Sequence, residues 1–310
     1  MHKSSRIYVA GHRGLVGGAL LRILQQRGYE NLIARSSAEV DLRDRAAVRR
    51  LFEEEKPEYL FIAAAKVGGI WANHTRPVDF LADNLLIQTH LLLEAQAADL
   101  KKVMFFGSSC IYPKFAPQPI SEQSLLSSAL EPTNEWYAIA KIAGIKLGQA
   151  LRRQQGMKVV SVMPTNLYGP GDNFDLESSH VVPALLRKVH EAKKAGQASV
   201  SVWGTGTPRR ELMHVDDLAA AALFLMESYD EEGIINVGTG EDISIRQLAE
   251  LIAKVVGYQG ELSFDPSKPD GTPRKLLDVG KLHALGWRHG ISLPEGLASV
   301  YDWYLQHEAR

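Results

Sequence analysis

The chain has 310 residues, of which 45% are hydrophobic and 23% are charged, and its formal net charge at pH 7 is -1. This is the composition of an ordinary globular protein, built as one large domain or two fused ones. The near-zero charge excludes a whole-protein attraction to nucleic acid or to an anionic membrane, but does not exclude a local basic pocket. The sequence has no run of about 20 apolar residues, so no membrane span is predicted and the expected partner is a small molecule.

The cysteine content and residues 1–6 indicate the cellular compartment that we expect for the protein. Cys110 is the only cysteine, which excludes an intrachain disulfide and favours a reducing environment. Residues 1–6 lead directly into an apolar strand and lack the long apolar segment of a signal peptide. We therefore expect a cytoplasmic protein.

The first predicted βα unit contains a glycine-rich turn. Residues 6–10 predict a buried strand, and the apolar spacing of residues 19–24 predicts a helix. Glycines between them allow a tight turn and close backbone approach, and the free N–H groups of the helix can bind a diphosphate. A simple strand-to-helix turn is the alternative, but the position favours a dinucleotide site. The turn consists of Gly11, His12, Arg13, Gly14, Leu15, Val16 and Gly17.

The second predicted strand, residues 31–35, ends in Arg35, where an NAD site usually has Asp or Glu for the ribose 2′-hydroxyl. Arg35 and Arg13 can instead bind a 2′-phosphate through paired, charge-assisted hydrogen bonds. NADPH is therefore predicted in preference to NADH; the alternative is that both arginines are merely solvated. Further on, Asp41 is placed to reach the adenine edge, and Asp44 is a plausible N-cap for the next helix.

The third predicted strand, residues 58–65, ends in three alanines whose small side chains let a cofactor lie close. Residues 66–70 follow as a loop at the carboxyl end of that strand, where ligands of open α/β sheets gather. A long helix over residues 77–98 then leads to a strand over residues 102–106.

The segment after that strand, residues 107–113, carries two reactive side chains. Ser108 is well placed to hydrogen-bond a carbonyl oxygen. Cys110 follows two residues later, so an extended chain would turn it to the same side. A lone cysteine is commonly a small core residue, and an acid/base role is the alternative.

Tyr137 and Lys141 are four residues apart in the next predicted helix, residues 134–155, and so share one face. A neighbouring cation favours the phenolate and should lower the pKa of the tyrosine below its usual value of about 10. That would suit a proton donor to a carbonyl that becomes an alcohol. The spacing also occurs by chance in helices, so the pair gains meaning only beside Ser108.

The second half of the sequence departs from βα alternation. A strand over residues 157–163 precedes a loop over residues 164–171 that is expected to cover the nicotinamide. His180 follows near the start of a helix, as a cap, an exposed side chain or an acid, given its unperturbed pKa near 6.5. We expect an α/β protein with a Rossmann-type doubly wound parallel sheet in residues 1–170, joined by some later segments. A smaller mixed α/β substrate lobe is expected mainly in residues 171–310.

With the glycine turn, Ser108, Tyr137 and Lys141 in order, the sequence resembles the extended short-chain dehydrogenase/reductases that act on nucleotide sugars. Four stretches, residues 11–17, 63–70, 107–113 and 164–170, resemble the GDP-L-fucose synthase family. The resemblance covers nearly the whole chain. It implies a homodimeric, NADPH-dependent 3,5-epimerase and 4-reductase acting on GDP-4-keto-6-deoxy-D-mannose.

The resemblance also implies roles for individual residues. The family's reductase triad falls on Ser108, Tyr137 and Lys141, and its epimerisation pair falls on Cys110 and His180. Its substrate positions fall on Lys188, Trp203, Arg210 and Asp270. Besides the glycine turn, the expected cofactor contacts are Arg35, Asp41, Ala64, Phe106, Gly107, Ser108, Ser109, Tyr137, Lys141, Pro164, Thr165, Asn166, Leu167 and His180.

One position departs from the family. Trp136 stands where proline is expected before the tyrosine, which could alter the start of the helix or crowd the pocket but removes no reacting group.

Three other functions compete with this prediction. A 4,6-dehydratase would be expected to carry a carboxylate near residues 109–110, which this chain lacks. A 4-epimerase retains tightly bound NAD, whereas Arg13 and Arg35 favour exchangeable NADP(H). A non-catalytic dinucleotide sensor is the alternative from another class, and the intact triad argues against it.

Overall fold

The computed structural model describes residues 1–176, 178–268 and 270–309, except for the side chains of Ile70, Trp71 and His74. Its described residues form twelve strands and ten α-helices in chain order. The strands are β1 Ile7–Ala10, β2 Leu32–Ile33, β3 Tyr59–Ile62, β4 Lys102–Phe106, β5 Val159–Pro164, β6 Asn166–Tyr168, β7 Ser199–Trp203, β8 Arg209–His214, β9 Ile234–Val237, β10 Asp242–Ser244, β11 Glu261–Asp265 and β12 Arg274–Lys275. The helices are α1 Leu15–Gln26, α2 Arg45–Glu55, α3 Ile70–Thr75, α4 Pro77–Ala97, α5 Glu135–Gln155, α6 Val181–Lys194, α7 Val215–Ser228, α8 Ile245–Val256, α9 Gly280–Ala284 and α10 Leu293–His307.

The largest sheet has six strands, all parallel, in the order β2-β1-β3-β4-β5-β9. Its strands are buried on both faces, as parallel strands between two helical layers require. Helices α2, α4 and α5 contribute their apolar residues to the cluster on one face. Helices α1 and α7 contribute theirs to the cluster on the other face. The predicted Rossmann-type doubly wound sheet is confirmed.

The remaining strands form two smaller sheets. Strand β8 pairs with β10, β12 and β6, and β7 pairs in parallel with β11. Helices α6, α8 and α10 pack around a third apolar cluster that includes residues of β7 and β8. Strand β9 lies in the six-stranded sheet although it follows β7 and β8 in the chain.

Local sequence explains where several helices begin and end. The predicted N-cap is confirmed at α2, where the Asp44 carboxylate accepts a hydrogen bond from the Ala46 N–H. Helices α8 and α10 each start with a capping box, formed by Ser244 with Gln247 and by Ser292 with Glu295. Gly156 ends α5 in the left-handed conformation.

Three local predictions differ from the structure. Strand β2 stops at Ile33, two residues before Arg35. Residues 166–168, predicted as loop, form β6 because β8 offers a parallel partner 46 residues further on. The unpredicted helix α3 lies before α4. Trp136, 42% exposed in the first turn of α5, does not interrupt that helix.

None of the described helices combines the length and the apolarity needed to cross a bilayer.

Candidate active site

The glycine turn brings β1, α1 and the end of β3 into contact. Gly11 has a φ of +86°, and a Cβ there would lie 2.6 Å from the backbone nitrogen of Ala64. A Cβ at Gly17 would lie 2.1 Å from the Gly11 carbonyl oxygen. Any other residue at these two positions would force the chains apart, so the turn depends on glycine for close approach.

The start of α1 is suited to an anion. Gly14 is the N-cap residue and supplies no capping side chain, and the first turn contains no acidic residue. Its unbonded N–H groups and the helix dipole therefore favour a negative group. The buried Nδ1 of His12 in the same turn has no hydrogen-bond partner among the described residues. These features fit the diphosphate of a dinucleotide.

Arg35 lies beyond β2 and Arg13 lies in the glycine turn, and the 2′-phosphate was predicted to bind to these two side chains. Arg35 pairs with the carboxylate of Glu55. The pKa of Glu39 is lowered mainly by hydrogen bonds from Ser36, and also by the nearby charges of Arg35 and Arg13. The charges of both arginines therefore lower the pKa of Glu39. A bound 2′-phosphate and the Glu55 carboxylate would both pair with Arg35.

Asp41 has both carboxylate oxygens engaged by its neighbour. Oδ1 accepts from the Arg43 backbone N–H at 2.9 Å and from Nε at 3.0 Å, and Oδ2 pairs with Nη2 at 2.9 Å. These bonds lower the pKa of Asp41. Its contact with adenine stays a prediction, and such a contact would compete with Arg43.

The loop after β3 is fixed by a buried amide and reaches the segment that carries His180. Asn84, 2% exposed, accepts from the Lys66 N–H at 2.9 Å and donates to the Lys66 carbonyl at 3.0 Å. Further along, the Gly69 N–H donates to the Ser178 carbonyl at 3.2 Å. The loop thus joins the two halves of the chain beside His180.

Ser108 organises the turn that follows β4. Its Oγ accepts from the Cys110 N–H at 3.2 Å and caps a 3-10 turn over Ser109–Ile111. The expected extended chain from Ser108 to Cys110 is therefore wrong, because the hydroxyl folds the backbone into a turn. The Ser108 side chain also acts on the Tyr137 hydroxyl, whose pKa it lowers.

Tyr137 and Lys141 lie one turn apart on α5, with Nζ of Lys141 5.8 Å from the centre of the tyrosine ring. Nζ donates to the Phe106 carbonyl at 2.8 Å. Burial raises the pKa of Tyr137, the Cys110 side chain raises it further, and the Ser108 hydrogen bond lowers it. The expected lowering of the Tyr137 pKa by Lys141 is wrong in this structure, because burial outweighs it and the ammonium is directed at Phe106.

Burial of the Lys141 ammonium should destabilise the folded protein. Burial lowers the pKa of Lys141 from 10.5 to about 8, and the side chain is 3% exposed. At about 1.4 kcal/mol per pKa unit, this is a cost of about 3 kcal/mol. Losing the hydrogen bond to Phe106 would cost about 1 kcal/mol. We expect Lys141→Met to raise the free energy of unfolding at pH 7 by about 2 kcal/mol while abolishing reduction.

The destabilisation by Lys141 depends on pH, because the pKa of its side chain is lowered in the folded state. Below about pH 8 the lysine is charged in both the folded and the unfolded state, so the full cost is present. Between about pH 8 and 10.5 the unfolded state binds more protons, and the wild type gains stability as the pH rises. Urea unfolding of both proteins from pH 7 to 9.5 checks this, and a stability difference that does not shrink over that range would contradict it.

Lys275, which the sequence did not indicate, contacts Cys110 and acts electrostatically on His180. Nζ of Lys275 donates to Sγ of Cys110 at 3.5 Å. His180 is the N-cap residue of α6 and is exposed to solvent, but partial desolvation by surrounding protein and the Lys275 charge lower its pKa. The charge of Cys110 raises the pKa of Tyr137. The thiol, the imidazole, the phenol and the lysine ammonium therefore belong to one cluster.

The residues predicted to cover the nicotinamide are engaged within the protein. Thr165 is 4% exposed, and its hydroxyl donates to the Glu211 carbonyl at 3.3 Å. The Asn166 amide donates to the same carbonyl at 2.9 Å. Pro164 is buried at the end of β5, and Leu167 packs against the α1/α7 cluster. Cofactor contacts from this stretch stay a prediction.

Lys188 and Trp203, predicted to bind substrate, contact each other. Nζ of Lys188 lies 4.7 Å from the centre of the Trp203 ring, and Nζ of Lys268 lies 5.5 Å from it. Trp203 is 59% exposed. An exposed indole flanked by two ammoniums can stack on a planar ring while the cations meet phosphates.

Arg210 and Asp270 complete this cluster. Nη1 of Arg210 donates to the Thr272 carbonyl at 2.6 Å. Burial lowers the pKa of Arg210, against the opposing effect of the Asp270 charge. Asp270 accepts from the Thr205 N–H at 2.7 Å, and a Cβ at Gly204, next to Trp203, would lie 2.3 Å from its Oδ1. The structure thus brings the four predicted substrate residues together.

Lys275 connects the two clusters. Strands β12 and β8 run parallel with Lys275 in register with Arg210, while Nζ of Lys275 reaches Cys110. Periodicity could not have indicated Lys275, because its strand has two residues. Lys268 was missed in the same way, since it lies in the loop after β11.

Comparisons with known proteins agree with this geometry. The family described as "NAD dependent epimerase/dehydratase family" matches residues 7–238. GDP-L-fucose synthase 1 of Arabidopsis thaliana is 57% identical over 305 residues, which cover 98% of this chain and 94% of the relative. The chain belongs to the NAD dependent epimerase/dehydratase family, in its GDP-L-fucose synthase branch. The GDP-L-fucose synthase of Escherichia coli (strain K12), another relative in this branch, is 54% identical, with 98% of each chain covered.

A solved structure in the same branch of the epimerase/dehydratase family carries the cofactor. The GDP-L-fucose synthetase from Naegleria fowleri bound to NADP has a TM-score of 0.91 and 29% identity, and the match covers 100% of this chain and 96% of that one. The cofactor of this chain is NADPH/NADP, as the glycine turn and the two arginines predicted. The turn, the open start of α1 and Lys141 would hold it.

Proposed function

We propose that this protein converts GDP-4-keto-6-deoxy-D-mannose to GDP-L-fucose, by epimerisation at C3 and C5 followed by reduction at C4. The observation that carries the proposal is the contact between Nζ of Lys275 and the Cys110 sulfur at 3.5 Å, in a cluster where Lys275 also acts on the pKa of His180 and where Cys110 and Ser108 act on that of Tyr137. A carbonyl bound against Ser108 and Tyr137 would have proton-transfer groups close by. NADPH, when bound, supplies the hydride.

The epimerisation needs a base and an acid on opposite faces of the sugar. The 4-keto group acidifies the hydrogens at C3 and C5, so each centre can lose a proton from one face and regain one on the other. Cys110 removes the proton as thiolate, and Nζ of Lys275 lies 3.5 Å from its sulfur. His180 returns a proton to the opposite face. Desolvation and the Lys275 charge lower the pKa of His180, and the anionic substrate would make it easier to protonate.

The reduction uses the same oxygen site. Ser108 and Tyr137 donate hydrogen bonds to the enolate oxygen during epimerisation, as in an oxyanion hole. When C4 is reduced, Tyr137 gives its proton to the alkoxide oxygen. Lys141 holds the cofactor ribose and compensates the charge that develops on Tyr137.

The second cluster binds the rest of the substrate. Lys188 and Arg210 neutralise the diphosphate, and Trp203 provides an aromatic face for the base or sugar. Asp270 keeps the loop beside Trp203 in place through Thr205. This grouping supports the assignment of residues 171–310 mainly to substrate binding and of residues 1–170 mainly to the cofactor.

We further propose a cytoplasmic homodimer that contacts its partner through α4 and α5. These helices pack against each other and leave four large apolar side chains exposed, those of Val78, Leu86, Trp136 and Ile139. Exposed apolar groups on adjacent helices are suited to an interface.

One reaction in D₂O tests the proposed function. Purified protein is incubated with GDP-4-keto-6-deoxy-mannose and NADPH, and deuterium in the product is located by NMR. We expect deuterium at both C3 and C5 of a reduced L-sugar, because each inverted centre regains its proton from groups that exchange with solvent. Reduction without deuterium at either carbon would leave a plain C4 ketoreductase and reject the epimerase role. Absence of NADPH oxidation would reject the reductase role.

A further inference from the structure

Glu211 in β8 is a carboxylate with 0% exposure and an unusual set of partners. None of the ion pairs found among residues 1–176, 178–268 and 270–309 includes it; the neighbouring Arg209 pairs instead with Asp242 at 2.7 Å. A buried carboxylate without a cation is expensive unless several donors satisfy it. The groups that donate hydrogen bonds to Glu211 therefore indicate its role.

Three backbone N–H groups satisfy the Glu211 carboxylate. Oε1 accepts from Thr239 at 2.7 Å and from Gly240 at 2.8 Å, and Oε2 accepts from Leu277 at 2.9 Å. Burial raises the pKa of Glu211, and these N–H groups act in the opposite direction. A Cβ at Gly238 would lie 2.2 Å from Oε1, so the turn after β9 has glycine where the carboxylate fits.

The bond to Leu277 anchors the segment that carries Lys275. Strand β12 has two residues, and beyond it the chain is bridged to Ile120, whose N–H donates to the Leu276 carbonyl at 2.8 Å. Beyond it, the Leu276 N–H donates to the Gln118 side chain at 2.9 Å, and the Leu277 N–H donates to Glu211. Lys275 is two residues from that anchor, and its Nζ contacts Cys110 at 3.5 Å.

We propose that Glu211 is a positioning residue for epimerisation, which holds the Lys275 segment so that Nζ stays against the Cys110 thiol. This role rests on the proposed function and specifies it. Ser108, Tyr137 and Lys141 lie on the turn after β4 and on α5, which the Glu211 carboxylate does not contact. Loss of the anchor should therefore impair proton exchange at C3 and C5 more than hydride transfer.

The test measures the two half-reactions separately. Solvent deuterium uptake at C3 and C5 is followed with NADP⁺ in place of NADPH, so that no reduction occurs. Steady-state reduction is followed with NADPH and with NADPH deuterated at the transferred position. Glu211→Gln keeps the shape but places an NH₂ or a single carbonyl where the Thr239, Gly240 and Leu277 N–H groups need acceptors.

We expect Glu211→Gln to lower deuterium uptake about 10²-fold, the scale of a misplacement near 1 Å. Overall turnover falls with it, and the isotope effect of the deuterated cofactor disappears because epimerisation becomes rate-limiting. Lys275→Met should give the same pattern, and the double variant should lose little more, because both changes remove one interaction. An isotope effect that persists while turnover falls, or additive losses in the double variant, would overturn the proposal.

A matched control separates positioning from general stabilisation. Asp217→Asn is the matched control, because Asp217 is a buried carboxylate that accepts from the Gly290 and Ile291 N–H groups away from Cys110.

Two further results keep the outcomes distinct. If the wild type takes up no deuterium, the proposed function fails and not the positioning role. Gly238→Ala, which pushes the carboxylate without removing it, gives a second perturbation, with folding monitored by circular dichroism. If Glu211→Gln and Gly238→Ala both fail to fold, Glu211 is a stability residue and the positioning role is rejected.

Discussion

Replacing Tyr137 by Phe should reduce NADPH-dependent reduction by about 10³-fold, within the range for loss of a positioned proton transfer. The hydroxyl is the group proposed to protonate the C4 alkoxide, and the Ser108 side chain lowers its pKa. Phenylalanine fills the same space, so the affinity for NADPH should change less than about threefold, since a single hydrogen bond to the cofactor contributes about 1 kcal/mol or less. Single-turnover NADPH oxidation and fluorescence titration of the cofactor measure the two effects.

Tyr229→Phe provides a matched control for this variant. Tyr229 is 2% exposed, and its hydroxyl has no hydrogen-bond partner in the part of the chain that the structure describes. Its replacement should leave reduction unchanged. If Tyr137→Phe retained more than about a tenth of the wild-type rate, its role as proton donor would be untenable, since even a weak acid contribution is worth about 10²-fold.

Replacing Cys110 by Ser should lower deuterium uptake at C3 and C5 by about 10² to 10⁴-fold while NADPH binding is retained. Serine can still accept a hydrogen bond from Lys275 but does not ionise at neutral pH, so the base is lost. The turn over Ser109–Ile111 should persist, because Ser108 caps it through the Cys110 backbone N–H. If deuterium uptake in this variant equalled that of the wild type, Cys110 would have only a structural role.

Alkylation offers an independent check, because Cys110 is the only cysteine in the chain. Iodoacetamide should add one group, detected by mass spectrometry, and abolish exchange in proportion to labelling. Labelling that proceeds to completion without loss of exchange would contradict the role of the thiol.

The parallel sheet was predictable because each βα unit carries its own signal. Strand β4 has the predicted bounds, since a continuous apolar run ends at a glycine. Strands β6, β10 and β12 have two or three residues and form only where β8 lies beside them. Such strands are set by tertiary pairing, and no period in the local sequence indicates them.

The residues of the candidate site divide in the same way, into those that the local sequence indicates and those that only the fold brings together. Ser108, Tyr137 and Lys141 were found from their order and spacing because they lie at a strand end and on one helix face. Lys275 is 165 residues from Cys110, and only the fold brings the two together. The raised pKa of Tyr137 was also beyond sequence reasoning, because burial depends on what packs around the helix.

The position of β9 in the central sheet has a consequence for folding during synthesis. The strand that covers the edge of β5 is residues 234–237, so the sheet stays incomplete until most of the chain has left the ribosome. Until then β5 presents an unpaired edge, which invites pairing with other chains. A nascent or truncated chain that stops before β9 should therefore be the form that chaperones bind and that aggregates, and separate expression of the cofactor half should fail.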